Sequence, residues 1–226
     1  MTTGAPRRSQ AVAARNSERI RRAAREVYAE RGPDAMLEDI ARAAGVGIAT
    51  LYRHFPNKEQ LVRAALEQAV AEQLTPAIEQ AMSDDDPRRG LTSLLEATLA
   101  MAAREHNTLT AADNSGALTA EVTAPFLDSL ILLTRRGQQA GLIRADIVPD
   151  DMHRIMGMLI SVLWSTDPAD QGWRRYVVLV LDALSPAGAS PLPPAVPGQG
   201  CREGMPNSPG IRSADLNGDK IADTRA

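Results

Sequence analysis

Apolar residues recur at helical spacing along most of the chain. Between residues 18 and 31 they form one stripe, made of Ile20, Ala23, Ala24, Val27 and Tyr28. Gly32 and Pro33 end this helix, because glycine permits a left-handed turn and proline cannot continue a helix. No stretch alternates apolar and polar residues between turn signals as a strand does, so the pattern predicts an all-α protein.

Two much shorter stripes follow the first helix. One covers residues 37–44 and stops at Gly45, and the other covers 48–55 with Ile48, Leu51, Tyr52 and Phe55 at helical spacing. Helices this short are unstable in isolation and must pack on neighbours. Three small helices with a shared core, the last two joined by a glycine-containing turn, predict a helix-turn-helix domain.

Longer stripes fill the rest of the chain up to about residue 184. Asn57 is an N-cap candidate for a helix that runs to about Met82, and Asp86 with Pro87 opens the next helix. Residues 107–124 are ambiguous, and a further helix resumes near Pro125. The last two stripes, over 151–165 and 170–184, are wide and continuous, which predicts a larger helical domain.

The composition changes at Ser185, after which prolines and glycines are frequent. Such a segment cannot bury enough apolar surface to fold, so we expect a disordered tail. The predicted organisation is a flexible basic arm over 1–15, the helix-turn-helix domain over 16–62, a larger domain over 63–184 and a disordered tail over 185–226.

The charge of the chain is uneven. Residues 1–31 hold eight arginines and three glutamates, a net charge of +5, whereas the whole chain carries −3 and the remainder therefore −8. A basic end on an acidic body is typical of a protein that touches a polyanion at one place only.

Composition also excludes several classes of protein. The single cysteine, Cys201, excludes an intramolecular disulfide and a thiolate metal cluster. No apolar run approaches the length of a membrane span, and the N-terminus lacks the apolar core of a secretory signal, so we expect a soluble, cytoplasmic protein without a membrane partner. No phosphate loop, metal motif or nucleophile elbow is present, so we predict no catalytic residue, metal or cofactor.

Residues 16–66, and above all the run EDIARAAGVGIATLYRHFPNKEQL from Glu38, closely resemble the DNA-binding domain of TetR-type transcriptional regulators. The Ile-Ala of the second helix, the Ala-Gly-Val turn and the Thr-Leu-Tyr-x-His-Phe of the third helix all stand in register. The resemblance implies a larger C-terminal domain that binds an effector and forms a homodimer. It therefore implies a transcriptional regulator that does not act as an enzyme.

The third helix supplies most of the predicted DNA contacts. With Leu51 and Phe55 in the core, the outer face of this helix can read bases. The resemblance implies that Tyr52 and His54 contact phosphates and that Lys58 adds a further contact. The predicted DNA-binding residues are Gly47, Ala49, Thr50, Tyr52, Arg53, His54 and Lys58. Met36 and Gly47 depart from the family pattern, because each stands where Ser or Thr usually caps a helix.

The later helices carry the remaining predictions. Methionines suit an adaptable pocket, and the resemblance places an effector among these helices, so the ligand-binding candidates are Met101, Met156 and Trp164. The dimer-interface candidates, from the last two stripes, are Ile155, Leu159, Trp173, Val177, Val180 and Leu181. We expect structural or surface roles for His106 and His153, and no metal at the calcium-loop-like residues 215–223, where Lys220 replaces the required glycine.

These features predict a ligand-responsive repressor that acts as a homodimer on a pseudo-palindromic double-stranded operator, with an unknown small-molecule effector. Two alternatives remain at this point. The chain could be a small-molecule binding or sequestering protein with vestigial DNA-binding helices, or an all-α enzyme. Loss of operator binding on substitution of Arg53 and Lys58 would distinguish the repressor from these two alternatives.

Overall fold

The computed structural model describes residues 5–165 and 171–195, and these residues contain helices and no strand. The prediction of an all-α protein is therefore confirmed for this part of the chain. The helices are α1 Ala5–Arg31, α2 Leu37–Ala43, α3 Ile48–His54, α4 Lys58–Ala69, α5 Thr75–Ser83, α6 Pro87–Arg104, α7 His106–Ser115, α8 Ala120–Gln139, α9 Pro149–Ser165 and α10 Trp173–Ala183.

The first three helices and the start of α4 share one small apolar core. Ile20, Tyr28, Ile40 and Leu51 are fully buried, and Phe55 is nearly so. The apolar stripe predicted for α1 is thus the side that packs on α2 and α4. This arrangement places the two short helices α2 and α3 as a helix-turn-helix on the surface of α1.

The first helix is longer than predicted. Residues 5–15, expected as a flexible arm, continue α1 instead. Alanine, arginine and glutamine dominate this stretch and favour helix, and Pro6 lies in the first turn, where a missing N–H is tolerated. Residues 10–15 are exposed, so this extension projects beyond the core.

A π-helical turn at Val70–Leu74 joins α4 to α5. The sequence predicts one helix to about Met82, and the chain is helical to Ser83, but its hydrogen-bond register changes on the way. The N–H of Thr75 bonds to the carbonyl of Val70, five residues back, and Pro76 then has no N–H to offer. Proline thus explains why the α-helical ladder is interrupted at this point.

The larger domain is built around α6, which packs against α5, α8, α9 and α10. As predicted, the Asp86 side chain caps α6 by accepting from the N–H groups of Arg88 and Arg89, with Pro87 at the first helical position. The ambiguous residues 107–124 contain α7, which ends at Gly116 with φ of 72°. The buried residues of both domains form one continuous apolar cluster.

The start of the predicted disordered tail is attached to the larger domain. Arg144 donates to the carbonyl of Ser190, and the N–H of Leu192 donates to Asp146 at 3.1 Å. Arg144 also forms a two-point ion pair with Asp146, which holds the pKa of that carboxyl well below its usual range. Residues 185–192 thus contact the larger domain although they form no helix, while Cys201 and the segment 215–223 lie outside the described residues.

None of the helices that the structure describes is both long and apolar enough to cross a bilayer.

Gly90 sets the closest approach between α5 and α6. A Cβ at this position would lie 2.5 Å from the Ala81 carbonyl oxygen and 3.2 Å from Leu133 Cδ2. We expect Gly90→Ala to lower the free energy of unfolding by about 1–3 kcal/mol, because the backbone of α5 must move. Gly157→Ala is the matched control, since its Cβ would meet nothing within 4 Å and should stabilise α9 by about 0.5–1 kcal/mol. Urea unfolding of both variants checks this, and equal stabilities would contradict it.

Candidate nucleic-acid interface

The turn between α2 and α3 requires glycine for two reasons. Gly45 has a φ of +62°, in the left-handed region that glycine occupies most readily. A Cβ there would also lie 2.8 Å from Nη2 of Arg19. That nitrogen donates to the Ala44 carbonyl at 2.5 Å, so α1 closes the end of α2 through one arginine. The turn and α1 together fix how α3 leaves the core.

The exposed side of α3 is polar, with one aromatic ring. Leu51 and Phe55 point into the core. Ala49, Tyr52 and Arg53 are exposed, and Thr50 and His54 are half-buried. Tyr52 keeps 45% of its surface exposed, so the structure places it outside the small core. Within the part of the chain that the structure describes, no carboxylate pairs with Arg53, which leaves its guanidinium available to a polyanion.

The caps of α2 and α3 are missing, as the sequence indicates. Met36 and Gly47 occupy the N-cap positions with extended backbone, and neither side chain makes a capping hydrogen bond. Met36 is 67% exposed. By contrast, Asn57 caps α4 by accepting from the N–H of Gln60 at 2.8 Å. The first N–H groups of α2 and α3 therefore have no capping side chain.

Lys58 has a structural partner that its sequence context does not reveal. Its Nζ donates to the Pro33 carbonyl at 3.1 Å and lies 5.9 Å from the centre of the Tyr28 ring. Burial raises the pKa of Tyr28 to about 12, so this ring remains a neutral partner. A cation at the first position of a helix is unfavourable beside the helix dipole, and this was the available signal for a second role. Lys58 thus braces α4 against the loop after α1.

Several arginines of the basic N-terminal region are also engaged within the chain. Arg19 closes α2, Arg21 pairs with Glu18, and Arg31 pairs with Asp39. Arg25 pairs with Glu72 and Glu105. The excess of positive charge near the N-terminus is therefore partly used to hold α1 in place.

The ligand-binding candidates lie in the larger domain but in different surroundings. Met101 and Met156 are buried in its core. Trp164 is half-buried and meets the edge of the His106 ring, with 5.7 Å between ring centres. Among the residues that the structure describes, none makes a hydrogen bond to the buried His106 Nδ1 or Trp164 Nε1, and burial lowers the pKa of His106. The sequence gives no reason to pair these two residues.

The six dimer-interface candidates differ in how far they are buried within the chain. Leu159, Trp173, Val177 and Leu181 are buried within the chain's own core, and only Ile155 and Val180 are half-buried. Both helices are apolar on more than one side, and the side with these four residues packs inside the chain. The large apolar side chains that remain exposed on α9 and α10 are Met158, Tyr176, Val178 and Leu179.

The two uncapped helices allow a direct test of the caps. Met36→Ser should raise the free energy of unfolding by about 1 kcal/mol, because its hydroxyl can accept from an N–H that Met36 leaves free. Gly47→Ser should add only a few tenths of a kcal/mol, because glycine is already an acceptable N-cap. Urea unfolding of the two variants gives the comparison. A larger gain at Gly47 than at Met36 would show that this description of the caps is wrong.

A family model for bacterial regulatory proteins of the tetR family matches residues 20–65, which cover the C-terminal part of α1, all of α2 and α3, and the first part of α4. No curated protein matches the chain.

Solved structures resemble the chain over most of its length. A TetR transcriptional regulator from Streptomyces coelicolor is 31% identical, with 76% of this chain and 99% of that one covered and a TM-score of 0.55. A TetR regulatory protein from Mycobacterium vanbaalenii is 28% identical, with 78% and 98% covered and a TM-score of 0.55. The regulator FadR from Bacillus subtilis, in complex with stearoyl-CoA, shares the fold at 19% identity, with 75% and 97% covered and a TM-score of 0.62.

Proposed function

The chain belongs to the TetR family of DNA-binding transcriptional regulators, and from this premise we propose that it is a ligand-responsive repressor that binds a pseudo-palindromic operator as a homodimer. The observation that carries the proposal is the outer surface of α3. There an unpaired Arg53 lies beside exposed Ala49 and Tyr52, on a helix too short to serve any core of its own.

In this proposal α3 enters the major groove. Ala49 allows close approach, Thr50 contacts a thymine methyl or a phosphate, and Arg53 reaches a guanine edge or a phosphate. Tyr52 and His54 contact phosphates and set the register of the helix. Gly47 contributes a backbone N–H at the start of α3, where the helix dipole favours an anion.

Lys58 has a second role in this proposal. Its ammonium group has three donors, and the Pro33 carbonyl takes one of them. The remaining donors can meet a phosphate while the side chain continues to brace α4. The exposed helical extension at residues 10–15 adds Arg15 as a further contact to the DNA backbone.

The exposed apolar side of α9 and α10 supplies the dimer interface. Met158 and Leu179 are more than half exposed, and Tyr176 nearly so, which is unusual for large apolar side chains on neighbouring helices. A second copy related by a two-fold axis would cover this side and present two α3 helices to successive major grooves. Ile155 and Val180 lie at its edge.

The effector is a small molecule that binds in the larger domain. The structure of FadR, which has the same fold, contains stearoyl-CoA, and this supports an apolar small molecule as the effector. Met101, Met156 and Trp164 remain the candidates for contact with it. Such a ligand releases DNA only if it binds the non-DNA-binding conformation more tightly.

Arg53→Ala tests the DNA-binding surface. We expect Kd for a duplex from the intergenic region upstream of the gene to rise by about five- to 150-fold, equivalent to about 1–3 kcal/mol, because one base or phosphate contact is lost. Fluorescence anisotropy measures Kd at several salt concentrations. If the slope of log Kd against log salt concentration is smaller by about one than for the wild type, Arg53 contacts a phosphate.

Arg135→Ala is the matched control, because Arg135 is an exposed arginine on α8 and its substitution removes the same charge outside the helix-turn-helix. Equal affinities for all three proteins would contradict the assignment of Arg53. A wild-type chain that binds apolar ligands but no operator would instead be a sequestering protein.

Leu179→Glu tests the dimer interface. A carboxylate on the apolar side should be left without a partner in the dimer, at a cost of several kcal/mol, so we expect a monomer with greatly weakened operator binding. Leu192→Glu is the control, since Leu192 is also exposed but lies in the segment after α10. Sedimentation velocity gives the mass of each variant. A dimeric Leu179→Glu protein would show that another surface forms the dimer.

A further inference from the structure

A buried carboxylate joins α1 to the larger domain. Arg25 of α1 donates from Nε at 3.1 Å and from Nη2 at 2.5 Å to Oε1 of Glu105, which lies between α6 and α7. The Glu105 side chain is only 8% exposed. An ion pair in this position connects the helix that carries the helix-turn-helix to the larger domain.

The remaining hydrogen-bonding positions of this carboxylate are also filled. Gln73 donates to Oε1 at 2.9 Å, and Thr108 donates to Oε2 at 3.2 Å. Glu105 thus accepts from α1, from the π-helical turn and from α7. A buried carboxylate that loses one of these donors is destabilised strongly, because its charge is no longer compensated.

The π-helical turn supplies two members of this cluster. Besides Gln73, it holds Glu72, which accepts from Nη1 of Arg25 at 2.6 Å and from Gln68 at 2.8 Å. Because a π turn contains an extra residue, it rotates the following residues about the helix axis. The irregular turn between α4 and α5 therefore brings Glu72 and Gln73 to the same arginine and carboxylate.

The next residue along the chain contacts the other side of the larger domain. His106 packs edge-to-face on Trp164 near the end of α9. The corner between α6 and α7 thus touches α1 through Glu105 and α9 through His106. One peptide unit thus separates the residue that contacts α9 from the residue that binds Arg25.

We propose that Arg25, Glu72, Gln73, Glu105 and Thr108 form a polar joint that fixes the orientation of the helix-turn-helix domain relative to the larger domain, and that this fixed orientation sets the affinity for operator DNA. The proposal rests on the proposed function for its second half only. The hydrogen bonds of the joint are directional, and those to Glu105 are buried or part-buried, so the joint favours discrete arrangements over gradual bending.

The test measures orientation and DNA affinity on the same full-length proteins. Spin labels at Glu38→Cys and Asp128→Cys, both exposed, report the distance between the domains in a Cys201→Ser background. An excess of unlabelled protein restricts the signal to distances within one chain. The variants are Glu105→Gln and the milder Glu72→Gln, which alters a half-exposed side chain and keeps the fold if Glu105→Gln does not.

Glu26→Gln is the matched control, because it breaks an exposed ion pair with Arg22 inside α1. We expect a broadened distance distribution for both joint variants and an increase in Kd for the upstream duplex of roughly five- to thirtyfold for Glu105→Gln, with a smaller increase for Glu72→Gln. The control should match the wild type in both measurements.

Folded joint variants with the wild-type distance distribution and the wild-type Kd overturn the proposal, and so does an equal effect of Glu26→Gln. If the wild-type chain binds no operator, the proposed function fails, and the distance distribution alone then decides whether the joint exists.

Discussion

Leu51 and Phe55 are buried in the small core and hold the seven residues of α3 on the domain, and the exposed surface of the domain depends on this anchorage. A helix of two turns has no stability of its own, so its position is set by the residues that bury its inner side. Arg19 and Gly45 complete the constraint by fixing the turn that precedes it. With the inner side occupied, the polar outer side can carry Arg53 without a competing carboxylate.

Charge is used in two different ways in this chain. The arginines of α1 give the N-terminal region its net positive charge, but Arg19 and Arg25 act inside the protein, one on a carbonyl and one on carboxylates. Lys58 similarly serves a carbonyl and an aromatic ring. The charges that hold α1 in place therefore also connect it to the larger domain, through the contact of Arg25 with Glu105.

The larger domain shows how far helical periodicity can be interpreted. The apolar stripes predicted for α9 and α10 lie on helices in the structure, and each of these helices is buried along one side. Because both helices are apolar on two sides, periodicity cannot tell which side faces the chain's own core. Val177 and Leu181 face inward, whereas Tyr176 and Leu179 face outward, only one or two residues away along α10.

The sequence by itself determined the helical class, the limits of the helix-turn-helix, the cap of α6 at Asp86 and the exposed side of α3, because these depend on local spacing and on residues adjacent in the chain. The missing caps at Met36 and Gly47 were equally local. Only the tertiary structure decided the partner of Lys58, the meeting of His106 with Trp164 and the convergence of Arg25, Gln73 and Glu105. Lys58 and Pro33 are 25 positions apart in the chain, and Arg25 and Glu105 are 80 positions apart. Such pairings follow from how helices pack rather than from any local pattern.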